Sequence, residues 1–177
     1  MVFDPGRYGA EVQAILALDG NGARPMPLAG GKPATGALQA LSAWSAQKLF
    51  PEAFSPEAAF SGLYLYFCAY DEAHTISQDI QTPEGSFWHG IMHRQEPDPG
   101  NAAYWFRRVG QHPIFPKLRD SAEELGFGVK DTWDPFAFID FCEDARKKSG
   151  SKEEQTAMAV QLAEWQLLFD HCARPKA

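Results

Sequence analysis

The order of apolar and polar residues along the chain predicts helices and little else. Near the end, Met158, Leu162, Trp165, Phe169 and Cys172 recur at alternating steps of four and three, the seam of an amphipathic helix. Ser151 with Glu154 forms a capping box at its start. Arg7 to Leu18 sets Ala14, Ile15 and Leu18 on one stripe, and Ala37 to Leu49 does the same with Leu38, Leu41, Trp44 and Leu49 until Pro51 stops it. Ser55-Pro56-Glu57 combines an N-cap, a proline in the first turn and an acid near the positive end of the helix dipole, for a helix to about Ala69. Asp71 to Ile80 reads as the next helix. Thr82-Pro83-Glu84 repeats the start signal for a helix to Glu96, Asp98-Pro99 for one to about Val109, and Asp134-Pro135 for one to Lys148. Phe115 to Leu125 is helical between the breaks at Gln111-His112-Pro113 and Gly126 to Gly128. No alternating run of useful length argues for a strand. The expectation is an all-α chain of antiparallel helix pairs, either tetratricopeptide-like or an irregular helical bundle.

Residues 19–36 interrupt this pattern with four glycines before Gly36 (Gly20, Gly22, Gly30, Gly31) and three prolines (Pro25, Pro27, Pro33), and read as a long ordered loop or a mobile linker. Too little chain precedes them to form a core, so the whole length, 1–177, reads as a single helical domain. The hydrophobic fraction of 45% suits a core that needs no metal or disulfide staple. A net charge of −7 argues against nucleic acid and anionic membrane surfaces as partners, because both attract surplus Lys and Arg. The longest apolar run, Leu63 to Tyr70, is far short of the ~20 residues of a membrane span. Met1-Val2-Phe3-Asp4-Pro5-Gly6 has neither the basic nor the apolar region of a signal peptide. Cys68, Cys142 and Cys172 are odd in number, widely spaced and set in apolar runs, so free, buried thiols are expected. Together these features point to the cytoplasm.

Specific chemistry concentrates between Asp71 and His112, which holds four of the five histidines. His89 and His93 stand at i and i+4 and so share one helix face, extended by Ser86 and Glu96. Asp71, His74 and Gln78 share a face of the preceding helix, and Asn101, Tyr104 and Arg108 one of the following helix. If the three helices are neighbours, these faces converge. Two histidines at i, i+4 can offer ring nitrogens to one divalent metal, with His74 or Glu96 as a third ligand. The general-base Glu of a His-Glu-x-x-His helix is missing, since Gly90 follows His89, so a metalloprotease is excluded. His93 with Glu96, or His74 with Asp71 or Glu72, forms a candidate acid–base pair, and Arg107 and Arg108 can hold a carboxylate or phosphate. No activated nucleophile, phosphate-cradling loop or dinucleotide fingerprint is present. The competing structural account makes Arg94, Glu96, Asp98, Arg107 and Arg108 ion pairs that fix the turn between two helices, with Asp98 as an N-cap and Tyr104 and Trp105 as packing residues.

Two resemblances bear on the fold. Gly62-Leu63 with Asp71-Glu72-Ala73-His74, and His89-Gly90 with Gly100-Asn101-Ala102-Ala103-Tyr104-Trp105, form a near-repeat that resembles a degenerate tetratricopeptide helix pair. The small residues Ala73 and Ala102 would let helices approach closely. The string from Trp88-His89-Gly90-Ile91-Met92-His93-Arg94 through Glu96, Asp98, Asn101-Ala102, Tyr104-Trp105, Arg107-Arg108 and Gly110 to His112-Pro113 resembles the motif of an uncharacterised helical protein family. That resemblance implies a helical fold and no particular activity.

Three functions follow from these residues. The first is a helical binding module whose groove, lined by His74, His89, His93, Glu96, Tyr104, Arg107 and Arg108, takes a small anionic ligand or a peptide. The second is a metal-binding protein or hydrolase-like enzyme built on His89, His93 and His74. The third is an interaction protein with no small-molecule site.

Overall fold

The last helix, α10 (Lys152–Ala173), is the element on which much of the rest is packed. Among the described residues nine α-helices precede it: α1 (Ala10–Leu16), α2 (Thr35–Ser42), α3 (Ala46–Leu49), α4 (Pro56–Tyr66), α5 (Tyr70–Ser77), α6 (Pro83–Gln95), α7 (Pro99–Val109), α8 (Phe115–Glu124) and α9 (Pro135–Ala145). This computed structural model describes residues 3–175; Met1 and Val2, part of the chain start read above, lie outside the described residues. Among the described residues there is no strand, and no helix is long and apolar enough to cross a membrane.

Helix starts follow their caps closely. Proline occupies the first turn of α4, α6, α7 and α9, where its missing N–H costs no helical hydrogen bond. Asp98 accepts from Asn101 N–H, Asp134 from Phe136 and Ala137 N–H, and Ser151 from Glu154 N–H. Two elements differ from expectation. The single helix read over Arg7 to Leu18 is a 3-10 turn, Pro5–Tyr8, followed by α1, because Gly9 sits at φ 101 between them. The single helix read over Ala37 to Leu49 is α2 and α3, separated where Ser45 turns extended.

The segment 19–36 is an ordered strap. Arg24 pairs with Asp19 at 2.5 Å, and its backbone N–H donates to Tyr66 Oη at 2.9 Å. Met26 is fully buried, and Pro27 O accepts from both Gln95 and Gln161 side-chain amides, at 2.9 and 2.8 Å. Two side chains from different helices thus satisfy the carbonyl of a loop laid over them.

Helix α6 lies against α4, α5 and α7. Two glycines set those distances. A Cβ on Gly62 of α4 would stand 2.6 Å from the Trp88 ring of α6, and one on Gly90 of α6 would stand 2.7 Å from the Phe106 ring of α7. Ala73 and Ala102 are also buried, but the closest approaches are at the glycines.

The deepest polar interaction joins α6 to α10. Arg94 is completely buried and pairs with the equally buried Glu164. Its Nε donates to Gln161 Oε1 at 3.1 Å, and its guanidinium lies 4.5 Å above the Phe138 ring of α9. Its carbonyl accepts from Arg146 at 2.7 Å. The structural account of Arg94 as a turn residue is therefore corrected: its side chain points inward to α10. The buried face of α10 is correspondingly wider than the apolar seam, since Gln161 and Glu164 are buried within it while Met158 and Leu162 are only partly so.

All three cysteines are free and buried, as expected. Burial pushes the Cys142 thiol up to about 12 and the Cys172 thiol well above its ordinary value.

Removing one partner of a buried ion pair strands the other charge. Arg94→Met is expected to destabilise the fold by about 3–5 kcal/mol, and Arg94→Met with Glu164→Leu to recover much of that loss. Urea unfolding of the three proteins measures both effects. A single variant as stable as the parent would show that the pair does not hold α6 in place.

Candidate functional site

Three imidazoles meet where α5 lies against α6. His74 comes from α5, and His89 and His93 stand one turn apart on α6. One ring nitrogen from each lies within 4.8 Å of the other two. The ring centroids are 4.7 Å apart for His74 and His89, 5.6 Å for His89 and His93, and 6.0 Å for His74 and His93. The i, i+4 spacing puts the α6 pair on one face. The third ring depends on how α5 docks, and a direct contact joins the two helices here: Ser77 Oγ of α5 is 2.9 Å from His89 Nδ1.

Each ring on α6 is oriented by a neighbour. Ser77 engages Nδ1 of His89. His93 Nδ1 lies 3.1 Å from Glu96 Oε2, in ion-pair range although off the line of a well-formed hydrogen bond. These contacts leave Nε2 of both rings for a further partner. The His89 ring also stacks on Trp105 of α7, with centroids 4.1 Å apart and planes 26° from parallel. The Arg108 guanidinium lies 5.3 Å from the centroid of that indole.

Burial holds His89 at about 4, helped by the two neighbouring imidazoles, so it is neutral at pH 7. Burial also lowers His93, against the opposing pull of Glu96 and Asp98. Neutral rings with a free lone pair are metal ligands and proton acceptors.

The remaining residues singled out from sequence fall in different places. Glu96 reaches the cluster through His93. Tyr104 is exposed and meets the Trp105 ring edge-on at 5.3 Å. Arg108 is exposed on the Trp105 ring. Arg107 lies apart from the histidines, 5.9 Å from the Phe136 ring of α9, in the lining of a cleft of about 450 Å³ with Phe115 and Trp133. Ion pairing of Arg107 and Arg108 with Glu96 or Asp98 around the turn is not found: Asp98 caps α7 and bonds the Asn101 amide, and Glu96 faces His93.

Sequence reasoning missed a second convergence. Glu84 in the first turn of α6, His112 before α8 and His171 in the last turn of α10 also bring one donor atom each within 4.8 Å of one another. Glu84 Oε1 is 3.6 Å from His112 Nε2 and 3.3 Å from His171 Nε2. These two rings hold the Glu84 carboxyl far below the usual carboxylate range, against the effect of its burial. The sequence offers no local signal for this group, because Glu84 also reads as a first-turn acid, His112 as part of a break and His171 as one more position on a helix.

Comparison with known protein families, with curated proteins and with solved structures finds no match to this chain, so the chemistry rests on the geometry alone.

The histidine shift carries a pH dependence. An unfolded His titrates near 6.5, whereas folded His89 resists protonation down to about 4. Between these values the unfolded chain binds the extra proton, so stability is full above about 6.5 and falls as pH drops toward 4. Glu84 adds a loss below its ordinary 4.5, because its folded carboxyl must be protonated against both rings. Urea midpoints of chelator-treated protein across this range are expected to fall with pH, less steeply for His89→Gln. Equal slopes for the two proteins would remove His89 as the source.

Proposed function

We propose that this chain is a metal-binding protein whose primary site is formed by His74, His89 and His93, taking a first-row divalent ion of the zinc type. The observation that carries the reading is the convergence of three ring nitrogens within 4.8 Å, from two helices. An ion with arms of about 2.0–2.1 Å in tetrahedral geometry draws its donors to about 3.3 Å. Side-chain rotation of His74 and His93 is the expected way to close the remaining gap.

The surroundings support the same reading. A histidine ligand is most often oriented through its second nitrogen, by a carboxylate, a carbonyl or a hydroxyl-type partner, and Ser77 and Glu96 stand at those positions. The rings are neutral at pH 7 in the case of His89, so binding displaces no proton from it. Trp105 stacks on His89 and restricts its rotation. Three histidines leave a fourth position on a tetrahedral ion for water or a small anion, and an ion so held supplies Lewis acidity and a more acidic water. The expected anion groove has less behind it, since Arg107 lies at another cleft and Arg108 stands on the adjoining indole.

The chain stripped with a chelator and dialysed against Zn²⁺ is expected to bind the ion at this site. His93→Ala is expected to abolish that binding, and Glu96→Gln to weaken it by about 10–100-fold, the usual cost of losing an orienting partner. Circular dichroism on the same samples shows whether the fold is intact. Unchanged zinc affinity in folded His93→Ala and His74→Ala proteins would refute the site.

A further inference from the structure

Glu84, His112 and His171 are drawn together from α6, the α7–α8 connection and α10, and share no residue with the three-histidine cluster. We propose that they form a second, independent metal site with two imidazoles and one carboxylate, for a first-row divalent ion.

The distances are the first argument. Glu84 Oε1 lies 3.3 Å from His171 Nε2 and 3.6 Å from His112 Nε2. Ligands on one ion with arms of about 2.0–2.2 Å in tetrahedral geometry stand about 3.3–3.6 Å apart. A charge-assisted N–H···O bond is shorter, about 2.7–2.9 Å. The His171 contact is a long hydrogen bond as it stands and the His112 contact lies beyond hydrogen-bond reach, and both separations match those of ligands around a common centre.

The second argument is an orphaned atom. The His112 side chain is 1% exposed, and its Nε2 has no hydrogen-bond partner. Buried polar atoms are nearly always satisfied, and an exception calls for a missing ion or water. On the opposite side of the ring, Nδ1 accepts from the Ile114 N–H at 3.4 Å. That contact is longer than an ordinary hydrogen bond. Ligation through Nε2 puts the ring proton on Nδ1 and gives this weak contact up. Phe87 holds the ring edge-on at 5.1 Å, so its orientation does not depend on Ile114.

The third argument is access and charge. Glu84 and His171 line a cleft of about 480 Å³ with Phe54 and Pro113, which gives an ion a route in and a free coordination position. Arg174 borders the same cleft, but it pairs with Asp170, which also accepts from Tyr8 Oη at 2.9 Å. The carboxylate gives this site one negative charge that the three-histidine site lacks, and a mixed nitrogen–oxygen set suits zinc, cobalt, iron and manganese.

Counting bound metal tests the proposal. The full chain is stripped, incubated with excess Co²⁺ or Zn²⁺, freed of unbound ion and assayed by elemental analysis. The parent is expected to hold two ions, His171→Ala one, His93→Ala one, and the double variant none. Glu84→Gln keeps the shape and removes the charge; it is expected to weaken the second site by at least about tenfold and leave the first unchanged, and it decides the matter if His171→Ala does not fold. One ion lost in His171→Ala and Glu84→Gln but kept in His93→Ala would uphold this site and remove the three-histidine site. Metal content that is the same in the parent, His171→Ala and Glu84→Gln, or no metal bound by the parent, would overturn it.

Discussion

A single guanidinium, that of Arg94, decides where the chemistry of this protein can sit. It is taken out of water entirely and matched by one carboxylate, Glu164, one amide, Gln161, and the face of Phe138. Charges are buried at high cost, and the arrangement is stable only with every partner in place. The result is directional: α6 has one depth and one rotation relative to α10. The side chains on the rest of α6 inherit that rotation. His89 and His93 are turned toward α5, and Glu84, near the opposite end, is turned toward the end of α10.

Around this anchor the packing is close enough to make ring positions specific. Gly62 and Gly90 admit an indole and a phenyl ring where any larger residue would push the helices apart. Trp165 of α10 donates its Nε1–H to the Gly62 carbonyl at 2.7 Å, so the same glycine accepts one tryptophan through its backbone and another through its missing side chain. Imidazoles held by such contacts lose little further freedom on meeting a ligand, which is the condition for a preorganised site.

The helical fold was legible where the chain carries its own punctuation. The proline-led starts of α4, α6, α7 and α9 fall within a residue or so of expectation, because a proline in the first turn and an N-cap before it act locally. The break between α2 and α3 was not, since neither glycine nor proline marks Ala43-Trp44-Ser45. Likewise Gln161 and Glu164 made the buried face of α10 look narrower than it is: hydropathy cannot distinguish a polar residue that faces water from one that faces a buried arginine. For the site, helical spacing gave the shared face of His89 and His93, and proximity in sequence suggested His74. It could not give Ser77 and Trp105 as the residues that orient His89, which depend on how three helices cross. Nor could it give His171 with Glu84, 87 positions apart and joined only by the docking of the last helix.

The burial of the thiols has a consequence for their reactivity. Cys142 and Cys172 are held as neutral thiols, whereas Cys68, packed against Gly31 of the strap, borders a cleft of about 240 Å³. Soft ions such as Cu⁺ seek thiolate sulfur, and peroxides attack it. Both find the sulfur atoms of Cys142 and Cys172 enclosed. The low reactivity of these two enclosed thiols is thus decided by packing in the core and not at either cluster.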